Sequence, residues 1–404
     1  MKSRSPSPSR WPYLVVTSFG RAVVGFQFQA LPALAPALGV TLGFSLPEIG
    51  LLTGLYMMPG VAVAILAGLL LQTYKVRSVL IVALILMTLG ATTALFAVDF
   101  TVLAIARIVQ GTGGVLMIVA TLKGIYDRFA ETELAFANAV SSAAHPFGMG
   151  LSLMLLTGLG QEFGWRAGYA ISGAVALVAL FAVHMTVDRS SSSFTGSVVS
   201  AGMSEVFRLT RREIVMLMSA SAVIALYAGN FHAFLSLLPS YLHATGWAPG
   251  TAASIMGVLG WAPIVIAPAG GLLIARVGHA PVFTTVCFLG WGGCVIGLAL
   301  IGVTAWLVGP MLVFGPLVMG VVMSLGAQAV APERRGIGSG IFMAGFFLGN
   351  AMLPALAAQF GEKMPQITGL PEASAILFCG TAFLSALVPL AIFYATEVIT
   401  GASE

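Results

Sequence analysis

Charge is the scarce ingredient of this chain. Only 8% of its 404 residues are charged, against roughly a quarter in a typical soluble protein, while 58% are hydrophobic. Between Ile214 and Pro332, a run of 119 residues, Arg276 is the single Lys, Arg, Asp or Glu. A water-facing globular surface cannot be built from such a stretch, which excludes a soluble enzyme or a nucleic-acid binder. Cysteine is scarce too. Cys287, Cys294 and Cys379 fall in apolar stretches, which marks them as packing residues rather than disulfide partners or ligands. The sequence also lacks a Walker loop, a metal-ligand cluster of His, Cys and acids, and any nucleophile–base spacing. No cofactor, no enzymatic activity and no ATP-driven pumping by this chain alone are therefore expected.

What the sequence has instead is long apolar runs. A transmembrane helix needs about 20 mainly apolar residues. Twelve such segments lie near residues 12–40, 48–71, 78–98, 101–122, 134–157, 167–187, 214–242, 251–275, 282–303, 307–330, 337–360 and 373–396. They are continuously apolar, not alternating at about ten residues each, so a β-barrel is excluded. The expected fold class is an all-α polytopic membrane protein with twelve transmembrane helices.

The basic residues report topology. With the N-terminus in the cytoplasm, fourteen of them fall on that side: Lys2, Arg4, Arg10, Lys75, Arg77, Lys123, Arg128, Arg189, Arg208, Arg211, Arg212, Arg276, Arg334 and Arg335. Only Arg166 and Lys363 fall outside, a bias that places both termini in the cytoplasm. The apolar run after Arg10 is too long for a signal-peptide core and lacks a cleavage site, so it is expected to stay as the first helix.

The longest polar connection, 188–213, contains Ser190–Ser193 and the cluster Arg208, Arg211, Arg212. It divides the chain into a cytoplasmic tail (1–11), a six-helix bundle (12–187), a cytoplasmic linker (188–213), a second bundle (214–396) and a tail (397–404). The halves are alike. Leu31-Pro32-Ala33-Leu34 is followed 27 residues later by Pro59, and Leu238-Pro239-Ser240-Tyr241 is followed 24 residues later by Pro263. Duplication at this scale suggests a transporter built from two related bundles with its site at their interface.

Arg107-Ile108-Val109-Gln110-Gly111-Thr112-Gly113-Gly114 resembles the R-x-x-Q-G-x-G pattern of the major facilitator superfamily. Gly271 to Gly278 resembles its G-x-x-x-D-R-x-G loop, with Ala275 in place of the acid, and the first-half copy has Gln72 after Gly68. The resemblance implies two six-helix bundles that rock around a central cavity lined by helices one, four, seven and ten. It also implies that the cytoplasmic latch made by the loop acid is altered here. Helix five offers Ala144-His145-Pro146-Phe147-Gly148 instead of the antiporter pattern ending in Gly-Pro-x-x-Gly-Gly, which argues against multidrug efflux. Arg21, Gly25 and Gln29 before Leu31-Pro32, together with Lys123, Asp127-Arg128-Phe129, Glu133 and His145-Pro146, are similar to the cyanate-permease-like branch.

An ionisable side chain at mid-membrane costs at least about 2.5–3.5 kcal/mol, so each is a candidate for function. All fourteen acids lie in loops, tails or end turns, whereas Arg21 and Arg107 lie about 13 Å and about 9 Å inside their helices. Two buried cations without a buried acid call for an anion, which guanidinium binds bidentately. Arg21, with Arg107 as a second positive pole, is therefore expected to bind substrate. Arg107 also suits a structural role, since its motif recurs in transporters of unlike substrates.

Phe28 and Gln29 share the Arg21 side of their helix. In helix five Asn138, Ser141, Ser142 and His145 form one polar stripe, which suits helix packing or, through His145, proton coupling. Tyr227 and Asn230 are the second-half binding candidates, while His232 reads as a packed neutral histidine. The expected function is secondary active transport of a small organic or inorganic anion by alternating access. The rival is proton-linked export of drugs or other hydrophobic compounds. The expected partners are the solute and the lipid bilayer, with no nucleic acid, and the protein is expected to be a monomer. Short loops and the lack of an Asn-x-Ser/Thr site point to a bacterial inner membrane.

Overall fold

With no water in the bilayer core, every backbone N–H and C=O must be satisfied within the segment that crosses it, and continuous apolar runs therefore become helices. The computed structural model of the chain describes residues 10–63, 74–129, 131–187, 209–331 and 334–401. Twelve helices in it are long and apolar enough to span a membrane, and no strand occurs among the described residues. They are α1 (Arg10–Leu42), α2 (Leu46–Val63), α3 (Val76–Leu95), α4 (Phe100–Arg128), α5 (Glu131–Glu162), α6 (Trp165–Thr186), α7 (Arg211–Ala244), α8 (Pro249–Val277), α9 (Ala280–Ile301), α10 (Ala305–Gln328), α11 (Arg335–Lys363) and α12 (Pro371–Val398). The polar tail before Arg10, Gly68, Gln72, the linker up to Arg208 and Glu333 lie outside the described residues.

Several helices outrun the apolar segments read from sequence, because polar caps extend them. Thr210 accepts from the Glu213 N–H at 3.2 Å while the Glu213 carboxylate accepts from the Thr210 N–H at 2.9 Å, a capping box that starts α7. Asp99 accepts from the Val102 N–H at 2.9 Å and starts α4. Prolines interrupt others. Pro389 has no N–H to give the Ser385 carbonyl, which takes Val388 N–H instead at 3.1 Å, and α12 is broken between Leu384 and Leu387. A turn at Met58 before Pro59 breaks α2 in the same way, with Val61 N–H bonding to the Met58 carbonyl at 3.2 Å.

The chain forms two compact units. One contains Met1–Ser45, Leu55–Gly196 and Gly246–Trp261; the other contains Leu46–Gly54, Ser197–Thr245 and Ala262–Glu404. The first turns of α2 and of α8 thus belong to units other than those that chain order implies. Within the first unit α1 packs chiefly on α5, and α3 on α4 and α6; within the second α7 packs chiefly on α11, and α9 on α12 and α10. These pairings match helix for helix, so the internal repeat suspected from the prolines is present in the packing.

The leading contact in each unit is a close crossing of small residues. A Cβ on Gly25 would fall on the His145 carbonyl, and one on Gly148 would fall on the Ala22 carbonyl. In the second unit a Cβ on Gly345 would stand 2.7 Å from the Ser221 carbonyl, and one on Gly349 would fall on that of Ala225. Glycine brings these backbones into direct contact, the usual means of association where lipid supplies no hydrophobic drive between helices.

Candidate functional site

The first unit carries both mid-helix arginines, and their surroundings differ. Arg107 on α4 is completely enclosed. Its Nη1 donates to the Gln27 carbonyl at 2.7 Å and toward Gln110 Oε1 at 3.4 Å, and its Nη2 donates to the Phe28 carbonyl at 3.0 Å. The guanidinium also lies 4.6 Å from the centre of the Tyr56 ring, whose face favours a cation. A planar fork is suited to bridging two successive carbonyls, and here it fastens α4 to α1.

Arg21 on α1 is half-buried, and its Nε is buried with no hydrogen-bond partner. No carboxylate among the described residues pairs with it. The three ion pairs present join Arg10 to Glu133, Lys123 to Asp127 and Arg334 to Glu213, all near helix ends. The crossing at Gly25 and Gly148 sets the Arg21 turn of α1 beside the His145–Gly148 turn of α5. His145 itself is half-buried.

Phe28 and Gln29 are completely enclosed, and the Phe28 ring packs on Tyr56 with centroids 5.6 Å apart. The structure therefore brings Phe28, Arg107 and Tyr56 together as one packed group. In the second unit Tyr227 donates to the Gly315 carbonyl at 2.8 Å and stacks between Phe231 and Phe288. Asn230 is fully buried; its amide donates to the Leu226 carbonyl at 2.8 Å, and its Oδ1 has no partner. His232 Nδ1 meets Asn350 Oδ1. Because the Asn350 amide donates to the Phe346 carbonyl at 2.7 Å, its oxygen is left to accept and His232 Nδ1 is the donor.

Sequence reasoning passed over Gln27, whose amide donates to the carbonyls of Met87 at 3.2 Å and Ser172 at 3.4 Å and so links α1, α3 and α6. It also passed over Ser18, buried with its hydroxyl unpartnered. A polar residue on the enclosed side of a largely apolar helix was the available signal for both.

Comparison with known proteins gives these features a family. A chain of Cupriavidus pinatubonensis described as a probable 4-methylmuconolactone transporter is 28% identical over 280 residues, covering 67% of this chain. The match takes in 64% of that relative, just under two thirds of its length. Among solved structures, the nucleoside transporter NupG superposes with a TM-score of 0.75 at 13% identity, covering 96% of this chain and 99% of NupG. The peptide transporter POT in complex with sulfate gives 0.74 at 15% identity, covering 95% and 94%. A bacterial homologue of the human lysosomal transporter Spinster gives 0.72 at 16%, covering 97% of each chain. At these identities the structures establish the fold. Residues 17–354 match the Major Facilitator Superfamily, and with twelve membrane-spanning helices the chain belongs to that family of multi-pass membrane transporters.

Proposed function

We propose that this transporter moves a small organic anion by alternating access, with Arg21 as the group that receives it. The observation that carries the proposal is the state of the Arg21 guanidinium: at mid-helix, its Nε buried without a partner, and with no carboxylate beside it among the described residues. A cation in that position costs at least about 2.5–3.5 kcal/mol, and an anion binding there offsets the cost. Arg107 acts in this scheme as the strut that fixes α1 against α4, since its guanidinium already binds the backbone of Gln27 and Phe28. Phe28 and Gln29 then shape the wall behind Arg21. His145, on the helix turn facing Arg21, is the proton-coupling group to test. In the second unit, Asn230 with its unpartnered Oδ1 is a better contact candidate than Tyr227, which is tied to Gly315.

The relative from Cupriavidus supports an organic substrate, because a muconolactone combines an apolar ring with a single carboxylate. The likeness of the Arg21–Gln29 and Lys123–His145 stretches to cyanate-permease-like proteins supports an anion independently. A bacterial inner membrane and a monomeric state belong to the same proposal.

The test is thermal stabilisation of detergent-purified protein across a panel of small organic acids, neutral sugars and lipophilic cations, since a ligand of the folded state raises its melting temperature by mass action. Acids should stabilise the native chain and leave Arg21→Gln unmoved. Stabilisation by lipophilic cations alone, unchanged in Arg21→Gln, would favour export of hydrophobic compounds and remove the proposal.

A further inference from the structure

We infer that the site around Arg21 takes the carboxylate of a singly charged acid, held by the guanidinium together with the hydroxyls of Ser18 and Ser141, and that it discriminates against acids with two charges. The inference rests on the proposed anion function and adds the charge of the substrate and two binding residues.

Three observations lead to it. First, the positive charge available at membrane depth is one. Arg107 is completely enclosed and spends its donors on Gln27, Phe28 and Gln110, so its charge is directed into the packing of the first unit. The other described cations of this unit for which contacts are seen are engaged near helix ends. Arg10 is paired with Glu133 and Lys123 with Asp127; Arg128 stacks on Tyr13, Arg77 donates to His184 and Arg166 to Ala97.

Second, the α1–α5 contact that carries Arg21 also carries two buried hydroxyls with nothing to bond. Ser18 is 8% exposed and Ser141 is 1% exposed, and the Oγ of each has no partner. Ser18 lies three residues before Arg21, within about 60° of it around the helix at 100° per residue. The parallel register of the two helices, set by Arg10 with Glu133 at the start and by Gly25 with His145 further on, brings Ser141 to the same level. A buried hydroxyl without a partner is costly in a folded protein, and a carboxylate accepting from it removes the cost.

Third, the chemistry closes on one charge. A guanidinium and two neutral donors satisfy the lone pairs of one carboxylate and leave the loaded site neutral. A second carboxylate would enter with no cation to meet it, and a buried uncompensated charge is strongly disfavoured.

The experiment measures affinity by thermal shift and by isothermal titration. Its probes are twenty aliphatic and aromatic diacids, each compared with its monomethyl ester and with the monoacid of the same skeleton. The monomethyl ester keeps size and removes one charge. Monoacids and monoesters should bind at least about tenfold more tightly than the diacids, one decade per 1.4 kcal/mol. Ser141→Ala and Ser18→Ala should each weaken monoacid binding by about tenfold while the melting temperature of the empty protein stays level or rises, since each removes an unsatisfied buried hydroxyl. A purely structural serine would lower the empty protein's melting temperature and leave affinity alone, which would overturn its assignment. Diacids that bind as tightly as monoacids, with binding lost in Arg21→Gln, would overturn the single-charge inference and keep the anion function. Failure of every acid to bind, or binding retained in Arg21→Gln, would remove the anion function itself. Arg21→Lys, which keeps the charge, guards against a folding failure of Arg21→Gln: it should retain measurable binding of monoacids with the same preference over diacids.

Discussion

Arg21 and Arg107 show how two identical side chains in similar helices take opposite roles through their acceptors. Arg107 finds two backbone carbonyls in line with its fork, so its replacement by Lys exchanges two directed donors for a point charge. Arg107→Lys should lower stability by about 2–3 kcal/mol, read as a fall in detergent melting temperature, with acid affinity in the surviving folded fraction changed little. A large loss of affinity at unchanged stability would instead make Arg107 a substrate ligand.

At the inner end of α7, Glu213 gathers the Ala331 N–H at 3.0 Å and the Arg334 guanidinium at 2.8 Å in addition to capping its own helix. Glu213→Ala should cost about 1–2 kcal/mol by losing the cap and leaving Arg334 unpaired. Glu213→Gln should recover part of that, because the amide oxygen still accepts. Equal melting temperatures for the two variants would show that the cap contributes little.

At the scale of elements, the crossings of α1 with α5 and of α7 with α11 depend on missing side chains. A Cβ at Gly25 or Gly349 meets a carbonyl oxygen of the facing backbone, which cannot rotate away as a side chain would. Gly25→Val and Gly349→Val should therefore each cost about 3 kcal/mol or more and reduce the monodisperse fraction on size-exclusion chromatography. Gly158→Val, where nothing lies within 4 Å, should be tolerated and serves as the control. Gly25→Val behaving like the control would mean that α1 and α5 approach less closely than described.

The sequence announced these crossings only in part. Gly345 and Gly349 have the Gly-x-x-x-Gly spacing, but Gly25 and Gly148 lie on different helices 123 positions apart, and no local pattern links them. Helix ends were read short for a related reason. Hydropathy ends where the chain turns polar, whereas Thr210 and Asp99 continue or start a helix in polar sequence by bonding its free N–H groups.

At the scale of the whole molecule, the distribution of basic residues predicts an orientation. In a protein freed of Cys287, Cys294 and Cys379, Glu162→Cys should react with a membrane-impermeant maleimide added to intact cells, and Lys75→Cys only after lysis. Both positions are exposed, so lack of access would not explain silence. The reverse labelling pattern would invert the topology.

What the sequence determined by itself was the solvent and therefore the class of fold. So little charge and such long apolar runs require a bilayer, a bilayer requires hydrogen bonds closed within each segment, and twelve helices follow. The Arg107–Gly114 motif then carried the family, and Arg21 stood out because acids are missing from the middle of every span. Which of the two arginines remains available was decided only by tertiary structure. The partners of Arg107 are carbonyl oxygens of Gln27 and Phe28, some 80 residues earlier in the chain. Every residue carries such an oxygen, so no pattern of side chains can reveal which ones a distant guanidinium will reach until the helices are packed.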